Sequence, residues 1–143
     1  MSKVEIRDAT LAPDELEARL IDVLDVHSKA AGYPFDPTSF GLEAWDGETF
    51  LGGAQYHFNN GWCFLKLLGV TQAHRKTGAG RMLMLALEVR MREQDAIGIW
   101  LDTFGFQAAP FYAGLGYEEF GRLSGPTPER DRIFMRKHLG EPR

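Results

Sequence analysis

The residues Arg75-Lys76-Thr77-Gly78-Ala79-Gly80 carry the most recognisable chemistry in this chain. Two glycines lie among cationic side chains, with Arg75 and Lys76 before them and Arg81 directly after. Glycine lacks Cβ, so at 78 and 80 an anion's oxygen could come close to the main chain. An apolar run of strand length, Trp62–Val70, leads into the loop, and Arg81–Glu93 follows with a helical pattern. A helix start offers N–H groups that have no intrahelical acceptor, together with the positive end of the helix dipole. The chemistry this combination suits is anion binding, and the expectation is a pyrophosphate cradle.

Two common glycine loops fit poorly. A P-loop needs Gly-x-x-x-x-Gly-Lys-Ser/Thr, which the chain lacks. A dinucleotide fingerprint needs a third glycine where Leu83 stands, although Asp102 lies near the distance at which that motif wants an acid. An ordinary glycine-containing helix start is the plain alternative, and the surroundings of the loop must decide.

The chain has 143 residues, 44% hydrophobic and 25% charged, the balance of one soluble domain spanning 1–143. A formal charge of −4 disfavours a general nucleic-acid partner. The lone Cys63 has no internal disulfide partner, and no Cys/His cluster has the spacing of metal ligands, so no metal is expected. Cys63 lies in an apolar strand, where an inert buried thiol is the expected state. No apolar run reaches membrane-spanning length and the N-terminus does not read as a signal peptide, so the expected location is the cytoplasm, with no membrane partner.

The elements that must position the loop follow from periodicity. Val4–Ala9 alternates weakly and predicts a short first strand. A helix is predicted from Pro13 to Ala30, capped by Thr10 or Asp14, with Leu16, Leu20, Val23, Leu24 and His27 on one face. The loop from Tyr33 to Phe40, including Phe35, is rich in proline and aromatics and could wall a substrate site. Phe40–Trp45, Thr49–Phe58 and the Trp62 strand predict an antiparallel meander joined by Asp46-Gly47 and Asn59-Asn60-Gly61. Gly52-Gly53 inside the second of these suggests a bulge or a close approach. The helix after the loop is apolar on most sides at its start and should be buried there. A strand over Ala96–Phe104 then completes a βαβ crossover. A short helix over Gln107–Leu115 and strands at Tyr117–Leu123 and Arg132–His138 finish the chain. The expected class is α/β, a mixed sheet of six or seven strands flanked by three or four helices.

This order resembles the GNAT superfamily of N-acetyltransferases. The likeness rests on the strand ending at Val70, the loop Arg75–Gly80, and Phe111-Tyr112-Ala113-Gly114-Leu115-Gly116-Tyr117 at the right separation. It is best from Leu65 to Tyr117 and a match of pattern only outside. The resemblance implies an acetyl-CoA N-acyltransferase fold and transfer of acetyl from acetyl-CoA to an amine by direct attack through a tetrahedral intermediate. It implies pyrophosphate held by Arg75, Lys76, Thr77, Gly78, Ala79, Gly80 and Arg81, and the pantetheine arm paired with Leu68, Gly69 and Val70. Tyr112 matches the tyrosine that protonates the departing thiolate, a role a phenol of ordinary pKa ~10 can fill at neutral pH. Two departures stand out: Lys76 replaces a glycine common in the family's loop, and Gly105 stands where many members carry a cofactor-contacting Asn.

No motif fixes the general base. Asp102, at the end of its strand, is the first candidate, beside Glu43 and His57; a carboxylate bonded to nearby groups is an equal reading of Asp102, and His74 could merely flank the loop. The expected acceptor is a small-molecule primary amine. Acetylation of a protein lysine or N-terminus, or acyl-CoA binding without catalysis, are the alternatives. A homodimer is compatible with Trp100 and the apolar strand edges.

Overall fold

The computed structural model describes residues 3–34, 36 and 38–140. Its contacts divide the chain into two units, Met1–Pro37 and Thr38–Arg143.

The described residues of the first unit hold one helix, α1 (Pro13–Ala30). Proline stands in its first turn with Asp14 and Glu15, as expected. The N-cap is Ala12 and provides no side-chain cap, so neither Thr10 nor Asp14 has that role. The helix ends where Gly32 takes φ +87° and the Tyr33 N–H donates to the Ser28 carbonyl at 2.7 Å. The face expected to carry Leu16, Leu20, Val23, Leu24 and His27 has no buried residue. Val4–Ala9 is not a strand: it has no regular structure, and Val4 and Ile6 are exposed. Two apolar side chains among Glu5, Arg7 and Asp8 offer too little surface to hold a strand against a partner, and a strand exists only through pairing.

The second unit is a six-stranded mixed sheet with β1 (Ser39–Asp46), β2 (Thr49–Asn59), β3 (Trp62–Val70), β4 (Gly98–Phe104), β5 (Glu118–Leu123) and β6 (Arg132–His138). Its order is β1-β2-β3-β4-β6-β5. The meander β1-β2-β3 is antiparallel, and β3 runs parallel to β4 across the helix α2 (Ala79–Glu93). The hairpin at Asn60 and Gly61 has φ +53° and +84°, the positive pair a tight two-residue turn requires. The helix α3 (Ala109–Gly114), shorter than its pattern suggested, joins β4 to β5. No helix among the described residues is long and apolar enough to cross a membrane.

The core lies between one sheet face and α2. Met84, Leu87 and Met91 join Cys63, Leu65, Ile99, Leu101, Ile133 and Met135 in one buried cluster. Each large side chain so buried contributes about 1.5–3 kcal/mol. The start of α2 is buried as expected on one side, through Ala79, Leu83, Met84 and Leu87, while Met82, Leu85 and Val89 on the other side are exposed. A sheet covers only the side of the helix that faces it.

Candidate active site

β3 and β4 pair only at Trp62↔Gly98, Cys63↔Ile99 and Phe64↔Trp100, and then part. Each is held on its outer side, β3 by β2 as far as Gly52↔Val70 and β4 by β6 as far as Phe104↔Arg132. Between Gln55↔Leu67 and Tyr56↔Leu65 the register shifts, leaving Lys66 as an extra residue on β3. Such a bulge bends its strand. A wedge therefore opens whose two edges carry main-chain groups without a ladder partner across the gap. An extended ligand can pair with such an edge.

The wedge is a cavity of ≈ 290 Å³ lined by Lys66, Leu67, Leu68, Asp102, Thr103, Gln107 and Tyr112, among others. A neighbouring cavity of ≈ 450 Å³ shares Leu68, Gln107 and Ala108 and adds Gly69, Val70, Arg75 and Phe106. Tyr112 and Asp102 thus face one space, and Leu68, Gly69, Val70 and Arg75 border its continuation. Gln107 shapes the join between β4 and α3: its Oε1 accepts from the Phe104 N–H at 3.1 Å and from Thr103 Oγ1 at 3.4 Å. Sequence reading missed Lys66, Thr103 and Gln107, because a bulge and a side-chain brace depend on the partner strand rather than on local spacing.

At the far end, the chain after Val70 makes a 3-10 turn (Gln72–His74), closed by Thr71 Oγ1 at 2.8 Å from His74 Nδ1. His74 is thereby a turn-closing side chain. Thr77 Oγ1 donates to the His74 carbonyl at 2.6 Å. Gly78 is the N-cap of α2 with φ +85° and no side-chain cap, so the first N–H groups of α2 are left for a ligand. A Cβ at Gly78 would meet nothing within 4 Å. A Cβ at Gly80 would lie 3.4 Å from the Phe111 ring and 3.5 Å from Val70, at ordinary contact distance, so packing alone does not demand a glycine there.

Tyr112 is buried on α3 and stacks edge-on against Phe111 and Tyr117. Burial pushes its phenol up to about 12. Burial likewise pushes the Cys63 thiol up to about 12, which fits an inert buried thiol. Asp102 Oδ1 accepts from Arg132 Nε at 3.1 Å. Glu43 accepts from the Trp45 indole at 3.2 Å, and His57 Nε2 lies 3.4 Å from Ser39 Oγ. Gly105 is explained by its neighbours: a Cβ would collide with the Pro128 carbonyl, and its N–H donates to the Asp131 carbonyl at 2.9 Å. No asparagine fits there without moving that turn. Gly52 and Gly53 mark close approach by neighbouring main chain, at Gly69 and Leu42 respectively. The bulge that the pair also suggested lies beside it, between Ala44↔Gly52 and Trp45↔Phe50.

A groove of ≈ 570 Å³ crosses β1–β3, lined by Phe40, Glu43, Gln55, Leu67, Gly69 and others. It shares Leu67, Gly69 and Val70 with the two cavities of the wedge. Of the aromatic loop, Phe40 borders this groove and Tyr33 is exposed, while Phe35 lies outside the described residues.

The profile of the acetyltransferase (GNAT) family matches residues 7–117. An acetyltransferase of Agrobacterium fabrum is 31% identical over 88 residues, 62% of this chain and 64% of that protein. Blasticidin-S acetyltransferase of Streptomyces morookaense is 35% identical over 79 residues, 54% of this chain and 55% of its own length. The chain thus spans between about half and two thirds of these relatives. The crystal structure of an acetyltransferase from Bacillus cereus superposes with a TM-score of 0.76 at 24% identity, covering 94% of this chain and 97% of that one.

Proposed function

The chain belongs to the acetyltransferase (GNAT) family, and from that premise we propose that it transfers acetyl from acetyl-CoA to the primary amine of a small molecule. The observation that carries this reading is the wedge between β3 and β4, which Tyr112 lines and whose continuation is bordered by Val70 and by Arg75 of the loop that leads to the uncapped start of α2. The donor supplies the acetyl thioester. Main-chain N–H groups at Ala79, Gly80 and Arg81 hold its pyrophosphate, with Arg75, Lys76 and Thr77 beside them and Gly78 giving the loop its turn. The free β3 edge at Leu68, Gly69 and Val70 pairs with the pantetheine arm. Tyr112 donates a proton to the departing thiolate, and its raised pKa keeps that proton in place at neutral and mildly alkaline pH. Asp102, across the same cavity, takes the proton of the incoming ammonium, directly or through water, while Arg132 orients its carboxylate.

The amine reaches the thioester from the groove over β1–β3, where Glu43 offers a carboxylate to a cationic acceptor. The small-molecule class is supported by likeness to a relative named for blasticidin S. The deciding experiment measures free thiol released from acetyl-CoA over a panel of small amines, amino sugars and peptides, beside calorimetric titration with CoA. Release with a small amine supports the proposal. Release only with peptides moves the acceptor to proteins, binding without release makes the chain a binding module, and no binding at millimolar CoA removes the donor site.

A further inference from the structure

We propose that Lys137 is a positioning residue for the reaction, holding the short helix that carries Tyr112 in register with the helix that begins at the anion cradle. This rests on the reading of Tyr112 given above. Lys137 stands on β6, and its ammonium reaches two other elements at once. Nζ donates to Glu88 Oε1 on α2 at 2.7 Å and to the Leu115 carbonyl at the end of α3 at 2.8 Å.

Glu88 is the surprising partner. It is 1% exposed, on the α2 face that also buries Met84, Leu87 and Met91. A carboxylate on such a face is costly unless a charge meets it there. Arg92 also meets this carboxylate, with a nitrogen 3.7 Å from Oε1, while Lys137 reaches on to the Leu115 carbonyl as well. Gly116, whose φ of +94° favours glycine, lies directly beside this ammonium: a Cβ there would be in ordinary contact with Lys137, 3.4 Å from Cε and 3.5 Å from Nζ. The ammonium also lies 5.8 Å from the centre of the Tyr117 ring, which packs edge-on against Tyr112.

A six-residue helix cannot hold itself in place, so its contacts must fix it. At the start of α3, the Ala108 N–H donates to Thr103 Oγ1 at 3.4 Å. At the other end, the Leu115 and Tyr117 N–H groups both donate to the Tyr112 carbonyl, at 3.0 and 3.1 Å. Lys137 anchors that same turn through Leu115. A turn freed from Lys137 is hooked onto Tyr112 and carries it along. The pair thus transmits the placement of α2 to the phenol.

The test removes both charges together, as Glu88→Met with Lys137→Met, so that neither is stranded. Replacing a buried ion pair by apolar side chains is often neutral for stability. With thermal melting unchanged, kcat should fall between about 10-fold and 10²-fold, the cost of a displaced catalytic group, while KM for acetyl-CoA holds. Glu88→Gln, which can still accept from Lys137, should keep kcat near the parent value. In a Tyr112→Phe background the paired substitution should lower kcat no further, because the two act through one group. Should the Met pair not fold, Glu88→Gln with Lys137→Gln enters the same cycle. An active parent whose folded paired variant keeps its kcat, or loses it equally without the Tyr112 hydroxyl, overturns the positioning role alone. A parent that neither binds CoA nor acetylates any amine overturns the functional reading and this inference with it.

Discussion

Tyr112 shows how far one residue's chemistry depends on what surrounds it. Its place in the Phe-Tyr-x-x-Leu-Gly-Tyr run was legible, but the burial that raises its pKa to about 12 was not. Tyr112→Phe should lower kcat by about 10²–10⁴-fold, or less if water substitutes, since that is what a positioned proton donor contributes. CoA affinity in a calorimetric titration should not change, because the ring remains. An unaltered kcat in a stable variant would exclude the phenol from the chemistry. Gly105 is the opposite case, a residue whose meaning lies wholly in its neighbours. The sequence showed only a departure from the family's asparagine, whereas the Pro128 carbonyl shows why no side chain can stand there. Gly105→Asn should therefore destabilise by about 1–3 kcal/mol through overpacking. A thermal melt equal to the parent's would show that the 128–131 turn can move aside.

Among the elements, the strand, loop and helix around Gly78 were the most readable, because a turn, a cap and an apolar period are all local signals. The roles of the two glycines were not separable that way. Gly78 needs its left-handed φ, so Gly78→Ala should cost about 1–2 kcal/mol. Gly80→Ala adds a methyl at ordinary contact distance and should melt near the parent temperature. Equal melting of the two would contradict the assignment. For the proposed cradle, Lys76→Gln and Arg81→Gln should each weaken CoA binding, by about 2- to 5-fold if each exposed cation contributes about 0.3–1 kcal/mol toward the pyrophosphate. The difference from the parent should shrink as salt is added. The wedge between β3 and β4 left no mark in the chain's periodicity. Both strands read as continuous, and their parting results from the Lys66 bulge and from different partners on either side.

At the scale of the whole molecule, buried protonated groups tie stability to pH. Tyr112 moves from 10.0 to about 12 and Cys63 from 9.0 to about 12, and burial raises Tyr117 in the same direction. The unfolded chain then loses these protons at lower pH than the folded one, so stability is complete below about pH 9 and falls as pH climbs toward 12. The unfolding free energy from urea titrations between pH 8 and 11 should drop above pH 9, by an amount on the order of a few kcal/mol near pH 11. A flat profile would mean these groups meet water in the folded state. The sequence by itself determined the α/β class, the meander, the crossover and the place of the glycine loop at the start of α2, since each follows from which neighbours alternate, cap or turn. Its weak Val4–Ala9 pattern did not become a strand, because pairing is a tertiary event and nothing local guarantees a partner. Only the tertiary structure decided that Asp102 and Tyr112, on different elements, line one cavity, that Arg132 holds Asp102, and that Lys137 reaches both Glu88 and Leu115. Those relations join residues far apart in the chain, and no local period or motif encodes a distance between elements that meet only when the sheet has formed.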